Sequence, residues 1–208
     1  PRLLIADEVG VGKTIEAALL LRELASRGEL TRALMIVPAG LVNNWHRELN
    51  EVFNLNFEVF GSEGDVTDRK SNAFAKHDRL IASVDTLKRR SRVQRLLDAP
   101  SWDIVIFDEA HHLSAYRSGG KTRKTENYKL AEALRNHARD LILLSATPHQ
   151  GDHFRFWMLI QLLNCIAEPK RMPVRQTEDH SLHVVGSTQS RLQCLVKKRG
   201  FTIIFVNT

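Results

Sequence analysis

Leu3-Leu4-Ile5-Ala6-Asp7-Glu8-Val9-Gly10-Val11-Gly12-Lys13-Thr14-Ile15-Glu16-Ala17-Ala18 is the stretch from which the architecture can be read. Residues 3–6 form a short apolar run of strand character, and residues 14–27 space their apolar side chains three and four apart, as a helix packed on one face does. A buried strand that turns directly into a helix is the repeating unit of a parallel sheet covered by helices. The turn, ending Gly-Lys-Thr, is also what a triphosphate needs, because glycines let backbone N–H groups close around phosphate oxygens at a helix N-terminus. On this reading Asp7, Glu8, Val9, Gly10, Val11 and Gly12 line the nucleotide. Lys13 neutralises the β- and γ-phosphates, and Thr14 offers its hydroxyl to a Mg2+ ion that bridges them. The competing reading is a glycine-rich turn whose Lys13 and Thr14 merely begin a helix. Asp7 stands where the strict phosphate-loop pattern has glycine, which points to a particular subgroup of such turns.

Working outward, the same alternation recurs. Strand-like runs are predicted at residues 33–37, 80–84, 103–107 and 140–144. Helical spacing is predicted over 40–53, 131–134 and 154–163. Asp103-Ile-Val-Ile-Phe and Leu141-Ile-Leu-Leu are near-continuous apolar runs, as strands buried on both faces are. An open α/β fold with a parallel sheet and helices on both faces is therefore expected. Residues 115–127 lack large apolar side chains and contain Ser118-Gly119-Gly120-Lys121, so a mobile surface loop is expected there. Its cations Arg117, Lys121, Arg123 and Lys124 serve either solubility or a nucleic-acid contact. From about Pro169 the pattern lapses into a polar tail in which only residues 201–206 resemble a strand.

The run 103–107 leads straight into Asp108-Glu109-Ala110-His111-His112. Ligands of open parallel sheets lie beyond the carboxyl ends of strands, so these carboxylates should emerge on the edge that carries the phosphate turn. Two adjacent carboxylates can divide the work: Asp108 holds the metal, and Glu109 orients or deprotonates the attacking water. The run 140–144 ends in Ser145-Ala146-Thr147-Pro148, either a capping turn or a relay of nucleotide state from the same edge.

At 43% hydrophobic and 26% charged, the 208-residue chain has the composition of a globular domain and not of a disordered one. No apolar run approaches the ~20 residues needed to span a bilayer. Cys165 and Cys194, the only cysteines, fit a reducing compartment. The net charge of +6 is unevenly placed: residues 169–208 hold seven Lys/Arg and two Asp/Glu, leaving residues 1–168 at only +1. Net charge is thus weak evidence for a nucleic-acid partner. His149 and His153, four apart, and the adjacent His111 and His112 lack a third ligand or a Cys pair at useful spacing, so no zinc site is expected. Trp45 and Trp157 stand at helical spacing among leucines and are expected in the core or at a lobe interface.

Residues 7–14 (DEVGVGKT), 35–49 (MIVPAGLVNNWHREL), 80–87 (LIASVDTL), 108–111 (DEAH) and 143–151 (LLSATPHQG) together resemble motifs I, Ia, Ib, II and III of the Swi/Snf-type superfamily-two helicase-like ATPases. Within that group the chain is most similar to bacterial and archaeal members related to the RNA-polymerase-recycling ATPase and to phage-defence translocases. The resemblance spans about residues 1–164. It implies a RecA-like phosphate-loop lobe over residues 1–168, with 169–208 as an atypical basic tail. It also implies ATP and Mg2+ as cofactors, movement along double-stranded DNA with remodelling of what is bound there, and a cytoplasmic, nucleoid-associated setting in a prokaryote. By motif, His111, Ser145, Ala146 and Thr147 couple nucleotide to DNA, and the region of Lys88, Arg89, Arg90 and Arg92 faces the DNA backbone. Read as residues alone, those cations are equally a solvated helix face.

The family completes its ATP site with arginines from a second RecA-like lobe, and no such lobe fits in the 40 residues after Pro169. Pro1 followed at once by a strand, and the abrupt change of character at Arg175, lead us to expect a fragment with a truncated or frameshifted end. A remnant that binds nucleotide or DNA without hydrolysis is the alternative function. An unrelated phosphate-loop kinase or GTPase would need an acceptor pocket or an Asn-Lys-x-Asp segment, which the sequence does not show.

Overall fold

Alternation of side chains along each strand sorts the apolar residues into two layers, one on either face of a sheet. The computed structural model describes residues 2–7, 12–61, 71–146, 152–163, 196–198 and 201–206. Its strands are β1 (Arg2–Asp7), β2 (Ala33–Val37), β3 (Glu58–Phe60), β4 (Arg79–Ser83), β5 (Trp102–Phe107), β6 (Ala115–Ser118), β7 (Lys121–Lys124), β8 (Ala138–Ser145), β9 (Val196–Lys198) and β10 (Phe201–Val206). Eight of them form one sheet in the order β3-β4-β2-β5-β8-β1-β10-β9. All its neighbours pair in parallel except β9 with β10. Strand β10, the one part of the tail with strand character in sequence, pairs with β1.

The helices are α1 (Lys13–Ser26), α2 (Val42–Arg47), α3 (Ala73–Lys76), α4 (Val84–Leu87), α5 (Arg90–Leu97), α6 (Glu126–Arg135) and α7 (His153–Leu163). Ile104 and Ile106 of β5 point to the layer shared with Ala17, Ala18 and Leu21 of α1 and Trp45 of α2. Val105 and Phe107 point to the other, shared with Tyr128, Ala131 and Leu134 of α6 and Leu159 of α7. Burying each of the Ile, Val, Leu and Phe side chains stabilises by roughly 1.5–3 kcal/mol, so the period-two pattern fixes which way every strand faces.

Register fixes the functional edge. Ala6 lies opposite Ser145, Phe107 opposite Leu143, Ile36 opposite Phe107 and Val37 opposite Ser83. The carboxyl ends of β1, β8, β5, β2 and β4 are therefore level.

Two expectations are corrected. Residues 40–53 do not form one helix: a 3-10 turn over Ala39–Leu41 leads into α2, which widens to a π-helical turn over Glu48–Val52. The wider turn ends with Asn50 bonded to Phe57 through both its amide atoms, Nδ2 to the carbonyl at 2.8 Å and Oδ1 to the N–H at 2.7 Å. Residues 115–127 are not a loop but the antiparallel hairpin β6–β7 followed by the start of α6. Large apolar residues are scarce there because a two-stranded ribbon outside the main sheet has little core to fill; Ala115 alone of its side chains is buried. Strand β3 gives no sequence signal: it is three residues long, lies at the sheet edge and buries only Phe60.

Candidate functional site

Strand order arranges the site along the carboxyl edge. The phosphate turn follows β1, Ser145 ends β8, Asp108 follows β5, Pro38 follows β2 and Val84 follows β4. Because β8 lies between β1 and β5, Ser145 stands between the carboxyl end of β1 and the acidic pair after β5. Of the predicted phosphate-binding residues, Asp7 closes β1, while Glu8, Val9, Gly10 and Val11 lie outside the described residues, as does Thr147. Gly12 caps α1 with φ 101°, a left-handed backbone that side chains strain to adopt. Its carbonyl accepts the first helical bond from the Glu16 N–H at 3.0 Å. Lys13 and Thr14 thus form the first turn of α1, where helix N–H groups face outward.

Asp108 is locked on three sides. Its own N–H donates to the Ile36 carbonyl at 2.8 Å, extending the β5–β2 pairing one step beyond the strand. Its Oδ1 accepts the Glu109 N–H at 2.8 Å, and its Oδ2 accepts the Trp45 indole N–H at 2.8 Å. Burial pushes the Asp108 carboxyl above the usual carboxylate range; the bonds from Trp45 and Glu109 and the Lys13 charge oppose that rise. Trp45, expected from sequence in the core or at a lobe interface, is buried and also reaches the acidic pair. The available signal was that a buried indole N–H needs an acceptor.

Glu109 follows with φ 48° and ψ 49°, a left-handed conformation uncommon outside glycine and a strain that clusters at functional sites. His111 Nδ1 lies 3.1 Å from Glu109 Oε2, but without hydrogen-bond alignment, and it has no other partner among the described residues. Burial and the His112 ring, whose centroid is 4.1 Å away, hold the His111 pKa below its ordinary value. Near neutral pH the contact is therefore between a neutral imidazole and a carboxylate. Ser145 is fully buried, and its Oγ likewise finds no hydrogen-bond partner among the described residues. Ala146 follows it as the sheet ends.

These residues fit a magnesium nucleotide. The donors are hard oxygens, the Thr14 hydroxyl and the Asp108 carboxylate, as Mg2+ prefers. Asp108 is a buried carboxylate whose desolvation outweighs the positive charge that Lys13 supplies, a deficit that a divalent cation removes. A cleft of about 230 Å3 opens on the far side of the acidic pair, lined by Pro38, Ala39, Val84, Asp85, Asp108 and Glu109. The acidic pair therefore borders this cleft, while Asp108 also feels the charge of Lys13.

The cationic segment after β4 divides. Arg89 and Arg90 are exposed. Lys88 reaches Asp85 at 2.6 Å, and with Arg90 it lines a groove of about 480 Å3 beside Glu126 and Lys129 of α6. Arg92 is the correction: it is only 6% exposed, and its guanidinium donates to the Thr86 carbonyl at 2.9 Å. It braces α4 against α5 and does not present its charge beside its neighbours, because the helical turn directs position 92 inward.

The family model described as the SNF2-related domain matches residues 2–171. Among solved structures, the chain is similar to the Sulfolobus solfataricus SWI2/SNF2 ATPase core in complex with dsDNA, at 24% identity and a TM-score of 0.60 over 77% of this chain and 31% of that one. The Sulfolobus solfataricus SWI2/SNF2 ATPase core domain matches at 24% identity and a TM-score of 0.60, over 78% of this chain and 30% of that one. The Pyrococcus furiosus Hef helicase domain matches at 20% identity and a TM-score of 0.57, over 78% and 33%. The chain spans about a third of the length of each of these structures. Their likeness gives the fold: one RecA-like lobe.

Proposed function

The chain belongs to the SNF2-related domain family, and we propose that it is the ATP-binding lobe of a helicase-like, DNA-dependent ATPase that moves on double-stranded DNA and remodels complexes bound there. The observation that carries this is the alignment of Lys13, Ser145 and Asp108–Glu109 along one carboxyl edge of the sheet. The lobe is assigned to residues 1–168, with 169–208 as an appended tail; the family match over 2–171 supports that division.

In this reading the turn Asp7–Thr14 cradles the ATP phosphates and Lys13 offsets their charge. Thr14 and Asp108 hold Mg2+, which when bound neutralises the phosphate charge that grows during hydrolysis. Trp45 fixes the Asp108 carboxylate in orientation. Glu109 accepts a proton from the attacking water, and its left-handed backbone sets the carboxylate apart from that of Asp108. Neutral His111 beside Glu109, and Ser145 between the two ligand-bearing turns, are placed to register the state of the site and pass it on through Ala146 and Thr147. Arginines from a second RecA-like lobe supply the remaining transition-state stabilisation, a contribution of ~10³–10⁵ in rate in related phosphoryl transfers. The exposed Arg89 and Arg90, with half-buried Lys88 beside them, meet DNA phosphates, so binding depends on salt and little on sequence.

The test is duplex-stimulated ATP hydrolysis by the full-length protein. Glu109→Gln should keep ATP affinity and lower turnover by roughly 10²–10⁴-fold. Lys13→Ala should lose affinity as well. Turnover that survives both substitutions would refute the assignment.

A further inference from the structure

The hairpin β6–β7 has two unlike faces. Cross-strand partners project to the same side of a ribbon, and the register pairs Ala115 with Lys124, Tyr116 with Arg123, Arg117 with Thr122 and Ser118 with Lys121. One face is packed onto the lobe. There Ala115 is buried, the Arg117 guanidinium stacks 4.7 Å from the Phe154 ring centroid of α7, and Lys124 binds Glu132 of α6 at 2.8 Å. Thr125 ties down the base, its hydroxyl donating to the Ser114 carbonyl at 2.7 Å. The opposite face carries Tyr116, Ser118, Lys121 and Arg123, all exposed, Tyr116 by 50%. Residues 113–125 contain no Asp or Glu, and the hairpin's single ion pair among the described residues, Lys124 with Glu132, lies on the packed face.

A ribbon anchored on one side, with cations and a phenol on the other, is built to be met by something. Its turn, Gly119-Gly120 with φ 58° and 76°, is the tight kind that holds two strands together without a bulky tip. A two-stranded ribbon fits the width of a duplex groove, and Lys, Arg, Ser and Tyr side chains are donors to phosphate oxygens. Position agrees: the hairpin leaves β5 at the carboxyl edge and runs into α6, whose first turns line the groove that also holds Lys88 and Arg90.

We propose that the outward face of the β6–β7 hairpin, through Lys121, Arg123 and Tyr116, is a second contact surface for double-stranded DNA, separate from the Lys88–Arg90 segment, whose groove also holds the Glu126 carboxylate. The proposal rests on the DNA-dependent reading above and adds to it a surface outside the segment after β4. It commits to phosphate contacts, which the salt dependence of binding reads directly.

The experiment is binding of a short random-sequence duplex to the full-length protein across about 50–200 mM salt. Removing two phosphate contacts by Lys121→Ala/Arg123→Ala should reduce the slope of log affinity against log salt by about 1.8. A charge-matched control, Arg22→Ala/Arg27→Ala at the far end of α1, should leave the slope as it is. A hairpin variant with wild-type slope and affinity, in a protein weakened by Lys88→Ala/Arg90→Ala, would overturn the hairpin's role and leave the DNA reading standing. A wild-type protein that binds no duplex would overturn both.

Discussion

The indole N–H of Trp45 donates to Asp108 Oδ2 at 2.8 Å from a side chain only 3% exposed, and it is one of two bonds that hold this carboxyl down against burial. Trp45→Phe keeps a ring in the core but removes that bond. A hydrogen bond to a charged group is worth about 1.5–3 kcal/mol, so chemical unfolding should show a loss of that order. Titration of the Asp108 carboxyl, followed by NMR, should move further upward, and Mg2+-dependent nucleotide affinity should fall. His111 gives a pH effect of definite sign. Its folded-state pKa is lowered by burial and by His112, so the unfolded chain binds the extra proton first. Stability from His111 is fully present above about pH 6.5, the unfolded value, and is lost as pH falls from there through the lower folded value. Asp108 acts in the other direction and in a lower window: its raised pKa means that stability is fully present below about pH 4 and is lost as pH rises through the folded value. His111→Gln should therefore flatten the stability profile below about pH 6.5; an unaltered slope would contradict the neutral-imidazole assignment.

Elements differ in how plainly they were written. The strands at 33–37 and 103–107 are legible because both their faces are buried, which forces continuous apolar runs. Strand β3 is hidden because an edge strand of three residues makes too few demands on composition. The hairpin β6–β7 is hidden because its packing partners are a cation on a ring and an ion pair, not apolar contacts. The π-helical turn of α2 is hidden because its spacing imitates an ordinary helix over so short a span. Helix α6 offers a test of how such elements lock together. Tyr128 is 1% exposed, and its hydroxyl donates to the Met158 carbonyl of α7 at 3.1 Å. Burial raises its pKa far above the ordinary tyrosine value, so the folded protein keeps the phenol neutral where the unfolded chain ionises it. Stability from this group is complete below about pH 10 and is lost above it. Tyr128→Phe should cost about 1 kcal/mol at neutral pH and abolish this part of the alkaline loss, both read from denaturant midpoints.

At the scale of the whole molecule, the order β4-β2-β5-β8-β1 turns five separated sequence motifs into one edge. The motifs themselves were readable because each follows a buried strand. Their spatial order was not, since apolar runs predict that strands exist but not which lies beside which. That order puts Ser145 between the carboxyl end of β1 and Asp108, a placement that spacing along the chain does not contain. It also brings α5 and the start of α6 together around the groove lined by Lys88, Arg90 and Lys129. Among the described residues no helix is long and apolar enough to cross a membrane. The central claim is that this edge binds ATP through Lys13 with Mg2+, and the most direct measurement is calorimetric titration of the protein with ATP. Binding should saturate, require Mg2+ and weaken roughly tenfold or more, about 1.4 kcal/mol, with Lys13→Ala. Equal affinity of the wild-type and Lys13→Ala proteins, or binding indifferent to Mg2+, would contradict it.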